Sequence, residues 1–273
     1  MKNKLFIVLG ILVVFSMVLS ACAPKATETP GYPAAGDPNS TAPTAYPAAE
    51  PQKIRVATDA TWPPFEIVDE ATKEIVGYDI DLFNAIAEKA NLEIEFINTP
   101  FDSVLSGMGT CQFDAAISAM TITDERKESF DFSDPYINAG QVVVVQFSNT
   151  AVTSKDDLVG KVVGAQLGTT GEIEAKAIAN TTVKPYDTVD LAFLDLANGQ
   201  IDAVIADYPT ALGFVAKSPD KIKAVGEVFT DESYGIAVCK GNTELVEKIN
   251  AALKQLVEEG KLVELEEKWL ATQ

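Results

Sequence analysis

Arg126 ends the stretch Ser118-Ala-Met-Thr-Ile-Thr-Asp-Glu-Arg126, at a place where a cation is unfavourable. Thr123 reads as a helix N-cap, and Asp124 and Glu125 suit the positive end of the helix dipole. An arginine at about the third helical position is repelled by that same dipole. A carboxylate docked against Thr121, Arg126 and free backbone amides would satisfy cation and dipole together. A solvated ion pair with Asp124 or Glu128 accounts for the spacing equally well.

Three other loops could carry chemistry, because ligands of open parallel sheets sit beyond the carboxyl ends of the strands. The first is "TDATWPPFE", with Asp59, Trp62 and Phe65. Asp59 could face the end of a ligand or hydrogen-bond within its own loop; Trp62, like Phe101, could stack on a ligand or serve as a core aromatic. The second is "QLGTTGE", where Gln166 ends an apolar run and Gly168-Thr169-Thr170-Gly171 offers amides and hydroxyls without the pattern of a P-loop. The third is "DYP", where Asp207 could hold an ammonium; on the residues alone, an N-cap for a helix opening at Pro209 is favoured. An arginine and an aspartate facing each other would suit a zwitterion such as an α-amino acid.

The elements that must position these residues alternate. Strand-like runs fall at residues 54–57, 92–97, 115–118, 142–146, 161–166, 203–206 and 235–238. Helical periodicity fits 79–90, 101–107, 171–179, 188–197, 210–216 and 244–260, and the alternation predicts an α/β fold with mainly parallel sheets. "QFDAAISA" at 112–119 and "QIDAVIAD" at 200–207 agree in four of eight positions. They are either chance likeness between buried strands or the mark of two lobes of like topology.

Composition narrows the function. There are 21 basic residues against 40 acidic ones, a formal net charge of −19, which argues against nucleic acid and anionic lipid surfaces. With no histidine, Ser-His-Asp and Cys-His sites are excluded. No catalytic residue, metal ligand or cofactor motif is assigned. Cys111 and Cys239 read preferentially as two buried small residues, with a disulfide as the alternative.

At the N-terminus, Lys2 and Lys4 precede an apolar run from Leu5 to Leu19 that is short for a membrane span. Leu19-Ser20-Ala21-Cys22 resembles a bacterial lipoprotein box, so residues 1–21 read as a signal peptide and Cys22 as the lipidation site. Residues 22–52 form a Pro/Ala/Thr linker, predicted to be disordered and extended.

With these residues in hand, the chain from Lys53 to Leu270 resembles the bacterial extracellular solute-binding proteins of family 3, receptors of ABC importers for polar amino acids. The likeness is carried by "VATDATWPPFE", "GYDIDLFNAIAEKA", "TITDER", "FDFSDPY", "GTT" and "LKQLVEEGKLVELEEKWL", in that order. It implies a type II periplasmic-binding-protein fold: one lobe of residues 53–139 plus 232–273, a second of 140–231, each with a central mainly parallel sheet, joined by a two-strand hinge. By the family's pattern, Arg126 would grip the α-carboxylate with Thr121, the amide of Met120 or its neighbour Ala119, and the Thr169-Thr170 pair. Asp207 and the Ser118 carbonyl would take the α-ammonium, Trp62 and Phe101 would sandwich the side chain, and Asp59 and Gln166 would line its far end.

Glutamine receptors of the family commonly carry a lysine where Gln166 stands. Without it, Asp59 would favour a cationic ligand end, by roughly 4 kcal/mol at 4 Å and an effective dielectric near 20, before desolvation. Arginine, lysine or ornithine is therefore the favoured ligand and glutamine the next. The implied protein is a monomer on the extracytoplasmic side, in the periplasm or at the cell surface. It would be held to the membrane only through its lipid, and its partners would be a free L-amino acid and the permease subunits of an ABC transporter. Two rivals share the fold. One is an exported cyclohexadienyl dehydratase, for which Glu66 would be the carboxylate base unless it faces solvent; the other is a sensory module, disfavoured by the absence of a further span before Gln273.

Overall fold

The protein is described from a computed structural model over residues 50–270. The signal segment, Cys22 and most of the linker lie outside the described residues.

The strand Gln52–Thr58 lies within a five-stranded sheet. It pairs in parallel with Leu92–Asn98 on one side and with Ala115–Ala116 on the other. Ala237–Cys239 then pairs antiparallel with both Ala115–Ala116 and Phe130–Phe132. The crossover helix Tyr78–Ala90 buries Ile80, Leu82, Phe83 and Ile86, the stripe that its 3.6-residue period dictates. It stops at Asn91, which takes the left-handed conformation common at helix ends. Helix Thr243–Glu258 lies against it and buries Leu245, Ile249, Leu253 and Leu256. These elements make the first lobe.

The second lobe has its own sheet, in the order Thr182–Tyr186, Val162–Gln166, Ala203–Asp207, Gln141–Gln146, Ile222–Val225. Its first two pairings are parallel and its last two antiparallel, the same sequence of pairings as in the first sheet. Ala115–Ala116 and Ala203–Asp207 hold the same third place in their sheets. The likeness between 112–119 and 200–207 therefore falls on corresponding strands, the second of the two alternatives. Between the sheets, Ile137–Ala139 and Glu232–Tyr234 pair antiparallel as a two-strand hinge.

Three features depart from the sequence expectation for physical reasons. Strand Thr182–Tyr186 was not anticipated because Pro185 interrupts its donors; it lies at a sheet edge, where a missing N–H is tolerated. Ile222–Val225 is likewise an edge strand, and its short partly buried run lacks a clear period. The helix predicted over 244–260 is Thr243–Glu258, but a further helix, Lys261–Trp269, follows it unanticipated, because Gly260 adopts φ 76° and turns the chain between them.

The cysteines also depart from the favoured reading. Cys111 and Cys239 form a disulfide, with Cα atoms 5.0 Å apart at a sequence separation of 128. Cys111 follows helix Phe101–Gly109 in an exposed turn at φ 54°, and Cys239 ends the strand that lies beside Ala115–Ala116. Only the sheet order brings the two together, and sequence spacing does not contain that order. Closing so long a loop is worth about 2–5 kcal/mol. Reduction, or Cys239→Ser, should therefore lower the thermal midpoint by roughly 5–15 °C. Calorimetry with and without reductant checks this, and an unchanged midpoint despite two titratable thiols would contradict it.

Candidate functional site

The parallel strands of both sheets end toward one interlobe cleft. Asp59 directly follows Gln52–Thr58, Gln166 ends Val162–Gln166 and Asp207 ends Ala203–Asp207. The segment Ser118–Thr121 follows Ala115–Ala116. Trp62, Phe101, Ser118, Ala119, Thr121, Arg126, Thr169, Thr170 and Asp207 together line a narrow cleft that their side chains nearly fill, leaving a cavity of about 10 Å3.

Arg126 lies where the sequence placed it, on a six-residue helix Asp124–Ser129 capped by Thr123, whose hydroxyl accepts from the Arg126 amide at 3.1 Å. Its guanidinium turns into the cleft. Nη1 donates to the Thr121 carbonyl at 2.7 Å and Nη2 to the Gly168 carbonyl at 3.1 Å, one contact to each lobe. The ring of Phe101 lies 5.3 Å from its central carbon. Burial lowers its pKa to about 10, against the opposing pull of Asp207, Glu232 and Glu125. Asp124 pairs with Lys127 instead, so the surface-pair account of Arg126 does not describe this chain.

Asp207 occupies the N-cap position of helix Tyr208–Lys217, but its side chain does not cap it. Its carboxylate accepts from Gln141 Nε2 at 2.7 Å and from the Tyr234 hydroxyl at 2.6 Å. Burial, reinforced by the charge of Glu232, raises its pKa to about 6, while Tyr234 and Gln141 hold it down. The helix-cap reading favoured on sequence is thus corrected: the short side chain is drawn inward by two donors that the sequence does not place near it.

Asp59 is buried and faces the N-terminus of helix Phe101–Gly109, accepting from the Phe101 amide at 3.1 Å. It also accepts from Thr61 Oγ1 at 2.9 Å and, across the cleft, from Gln166 Nε2 at 2.6 Å. Burial raises its pKa, and the bonds from Gln166, Thr61 and Phe101 limit the rise. Gln166 also donates to the Asp187 carbonyl at 2.9 Å, and its Oε1 accepts from Trp62 Nε1. The predicted far-end pair, Asp59 and Gln166, is therefore brought together from opposite lobes.

The remaining predicted residues divide. Trp62 and Phe101 are both buried at the cavity wall. The Ala119 amide is committed to Asp79 at 2.7 Å, and the Thr169 hydroxyl donates to the Gln166 carbonyl at 2.7 Å. The Met120 side chain belongs to the core beneath Phe101. Thr121 and Thr170 each donate a hydroxyl to Glu232 at 2.8 Å. Glu66 faces neither solvent nor cleft: it is fully buried, and Ser118 Oγ donates to it at 2.9 Å.

Sequence reasoning missed Gln141, Glu232 and Tyr234, which surround Asp207 and the two threonines. Gln141 had a readable signal, a polar residue opening the valine run of "QVVVVQ" and buried with it. Glu232 and Tyr234 had none, because they reach the cleft through the returning hinge strand.

Comparison with known proteins agrees with this architecture. The model of the bacterial extracellular solute-binding proteins, family 3, matches residues 54–272. The chain is 39% identical over 229 residues to the putative ABC transporter arginine-binding protein 2 of Escherichia coli (strain K12), covering 81% of this chain and 92% of that protein. It is similar to a solved ancestral arginine-binding protein bound to arginine, at TM-score 0.77 and 44% identity over 81% of this chain and 99% of that one. A further solved structure, the arginine-, lysine-, histidine-binding protein ArtJ of Geobacillus stearothermophilus, matches at TM-score 0.76 and 37% identity, covering 81% and 96%. Two lobes joined by a two-strand hinge make this the type II periplasmic-binding-protein fold. The chain belongs to the bacterial extracellular solute-binding proteins of family 3.

Proposed function

We propose that the chain is an extracytoplasmic receptor that captures a basic L-amino acid, arginine before lysine or ornithine, by lobe closure and delivers it to the permease of an ABC importer. No catalytic step is involved. One observation carries the choice of ligand: Asp59 is buried beside the cleft and is held by neutral groups, the Thr61 hydroxyl, the Phe101 amide and the Gln166 side chain. A zwitterion leaves Asp59 without a counter-charge, whereas an amino acid with a cationic side chain supplies one. The relatives named as arginine-binding support the same choice. In this reading Cys22 carries the lipid and residues 22–52 tether the receptor to its membrane.

Arg126 would take the α-carboxylate, with the Thr121 and Thr170 hydroxyls turned from Glu232 toward it. Asp207 and the Ser118 carbonyl would take the α-ammonium. The side chain would run between Trp62 and Phe101 to Asp59, displacing the amide of Gln166. Each of these groups already bridges the lobes or lies at their junction, so a ligand that replaces the internal contacts stabilises the closed form.

Three outcomes test this. Arg126→Ala should weaken arginine binding by about 2–4 kcal/mol, roughly 30- to 1000-fold, because it strands a carboxylate in the cleft; a calorimetric change below about threefold would remove the clamp. The wild type should prefer arginine to its neutral isostere citrulline, and Asp59→Asn should erase most of that preference. A wild type that binds citrulline or glutamine more tightly than arginine would overturn the ligand assignment.

The third concerns pH. Because the pKa of Asp207 is raised to about 6, the ligand-free fold holds its proton more tightly than the unfolded chain and gains stability as pH falls through 6. An ammonium requires the ionised form, so arginine affinity should fall by roughly tenfold per pH unit below about 6. Asp207→Asn should flatten that slope, measured by calorimetry between about pH 5 and 7.

A further inference from the structure

Behind the cleft, bonded to the Ser118-Ala119 segment that lines it, lie two carboxyls that no cation accompanies. Glu66 and Asp79 are both fully buried. Glu66 Oε1 accepts from Ser118 Oγ at 2.9 Å, and Asp79 Oδ2 accepts from the Ala119 amide at 2.7 Å and the Tyr136 hydroxyl at 2.9 Å. The two remaining oxygens, Glu66 Oε2 and Asp79 Oδ1, are buried and meet no N–H or O–H donor. The two carboxyls lie in hydrogen-bonding contact with each other. Two bare oxygens of like charge repel in a buried setting, whereas one proton between them turns the repulsion into a hydrogen bond.

The fold forces this meeting. Gly77 sits with φ 147°, and a Cβ there would stand 1.9 Å from the Phe65 carbonyl oxygen. Its absence lets the Asp79 amide donate to that carbonyl at 3.0 Å, which locks the first turn of helix Tyr78–Ala90 beside Glu66. The groups facing the pair are Asp59, Tyr78, Tyr136 and Tyr234, none of them a cation.

We propose that Glu66 and Asp79 share a single proton, and that this acid–carboxylate pair is a positioning device that holds the Ser118-Ala119 segment in the geometry the cleft requires. The segment needs holding: Ala119 sits at φ 43°, a left-handed conformation unfavourable for a residue with a Cβ. Its amide is fixed by Asp79, and the Ser118 hydroxyl is fixed between Glu66 and the Asp59 amide at 3.0 Å. One proton thus anchors both residues of the bend and, through Ser118, the backbone of Asp59. Burial and the charge of Asp79 push the pKa of Glu66 well above the ordinary carboxylate range, while burial raises that of Asp79 to about 6 against the bonds from Ala119, Tyr136 and Glu66, so the shared proton sits on Glu66.

The proposal rests on the ligand reading for its effect on affinity, so the experiment includes ligand-free readouts. Glu66→Gln supplies an amide N–H to Asp79, and Asp79→Asn supplies one to an ionised Glu66; each keeps one donor between the two groups. The double variant places amide N–H groups against each other. We expect each single variant to bind arginine within about threefold of wild type and the double variant to lose about 30-fold or more, with a thermal midpoint below the sum of the single effects. The infrared band of an un-ionised carboxylic acid should be present in the ligand-free wild type at neutral pH and absent in Glu66→Gln. A missing band, a single variant as damaged as the double, or a double as sound as the singles would each overturn the shared proton. If the wild type fails to bind arginine, the proposed function falls, while the midpoints and the infrared band still decide the pair.

Discussion

Burying a carboxyl away from cations is the constraint around which the interlobe region is arranged, because a desolvated anion is tolerated only when donors or a proton answer it. Asp59, Glu66, Asp79 and Asp207 are all buried, and a single guanidinium reaches the region. Each carboxyl is answered differently. Asp59 receives a helix N-terminal amide, a hydroxyl and an amide side chain; Asp207 receives a tyrosine and a glutamine; Glu66 and Asp79 answer one another. The strand ends, the helix that begins at Phe101 and the hinge strand bearing Tyr234 are all required to bring those donors into place.

The contacts that draw the lobes together are correspondingly polar. Arg126 reaches a carbonyl of each lobe, Gln166 crosses to Asp59 and Trp62, and Glu232 ties a hydroxyl from Thr121 to one from Thr170. Polar junctions of this kind exchange their partners for water or for a ligand at small net cost, unlike an apolar interface. A cleft closed by such bonds can open without exposing a core, and what refills it must offer the same donors and acceptors.

Much of the fold was legible because it follows period and order. The stripe of Tyr78–Ala90 and the valine run of Gln141–Gln146 declare their elements, and the Thr123 cap with its out-of-place Arg126 declares a site. What was not legible depends on where elements meet. Pro185 masks an edge strand, the turn at Gly260 opens a further helix, and the sheet order alone seats Cys111 beside Cys239. In the site, Asp59, Gln166 and Asp207 were readable as strand-end residues. Glu232 and Tyr234 were not, because they arrive from a distant part of the chain, and Glu66 could not be placed on either side of Phe65 until Gly77 fixed the neighbouring helix.

The disulfide gives the molecule a property that its contacts alone do not. The first lobe is assembled from two separated stretches of chain, and the second lobe is carried between them. By joining Cys111 to Cys239, the bond makes the intervening chain, including the whole second sheet, a covalent ring borne on the first lobe. A peptide bond cut anywhere in that ring leaves both new ends attached to one molecule. A chain nicked by a protease in an exposed loop of that ring would keep its two lobes and its mass until a reductant released the pieces.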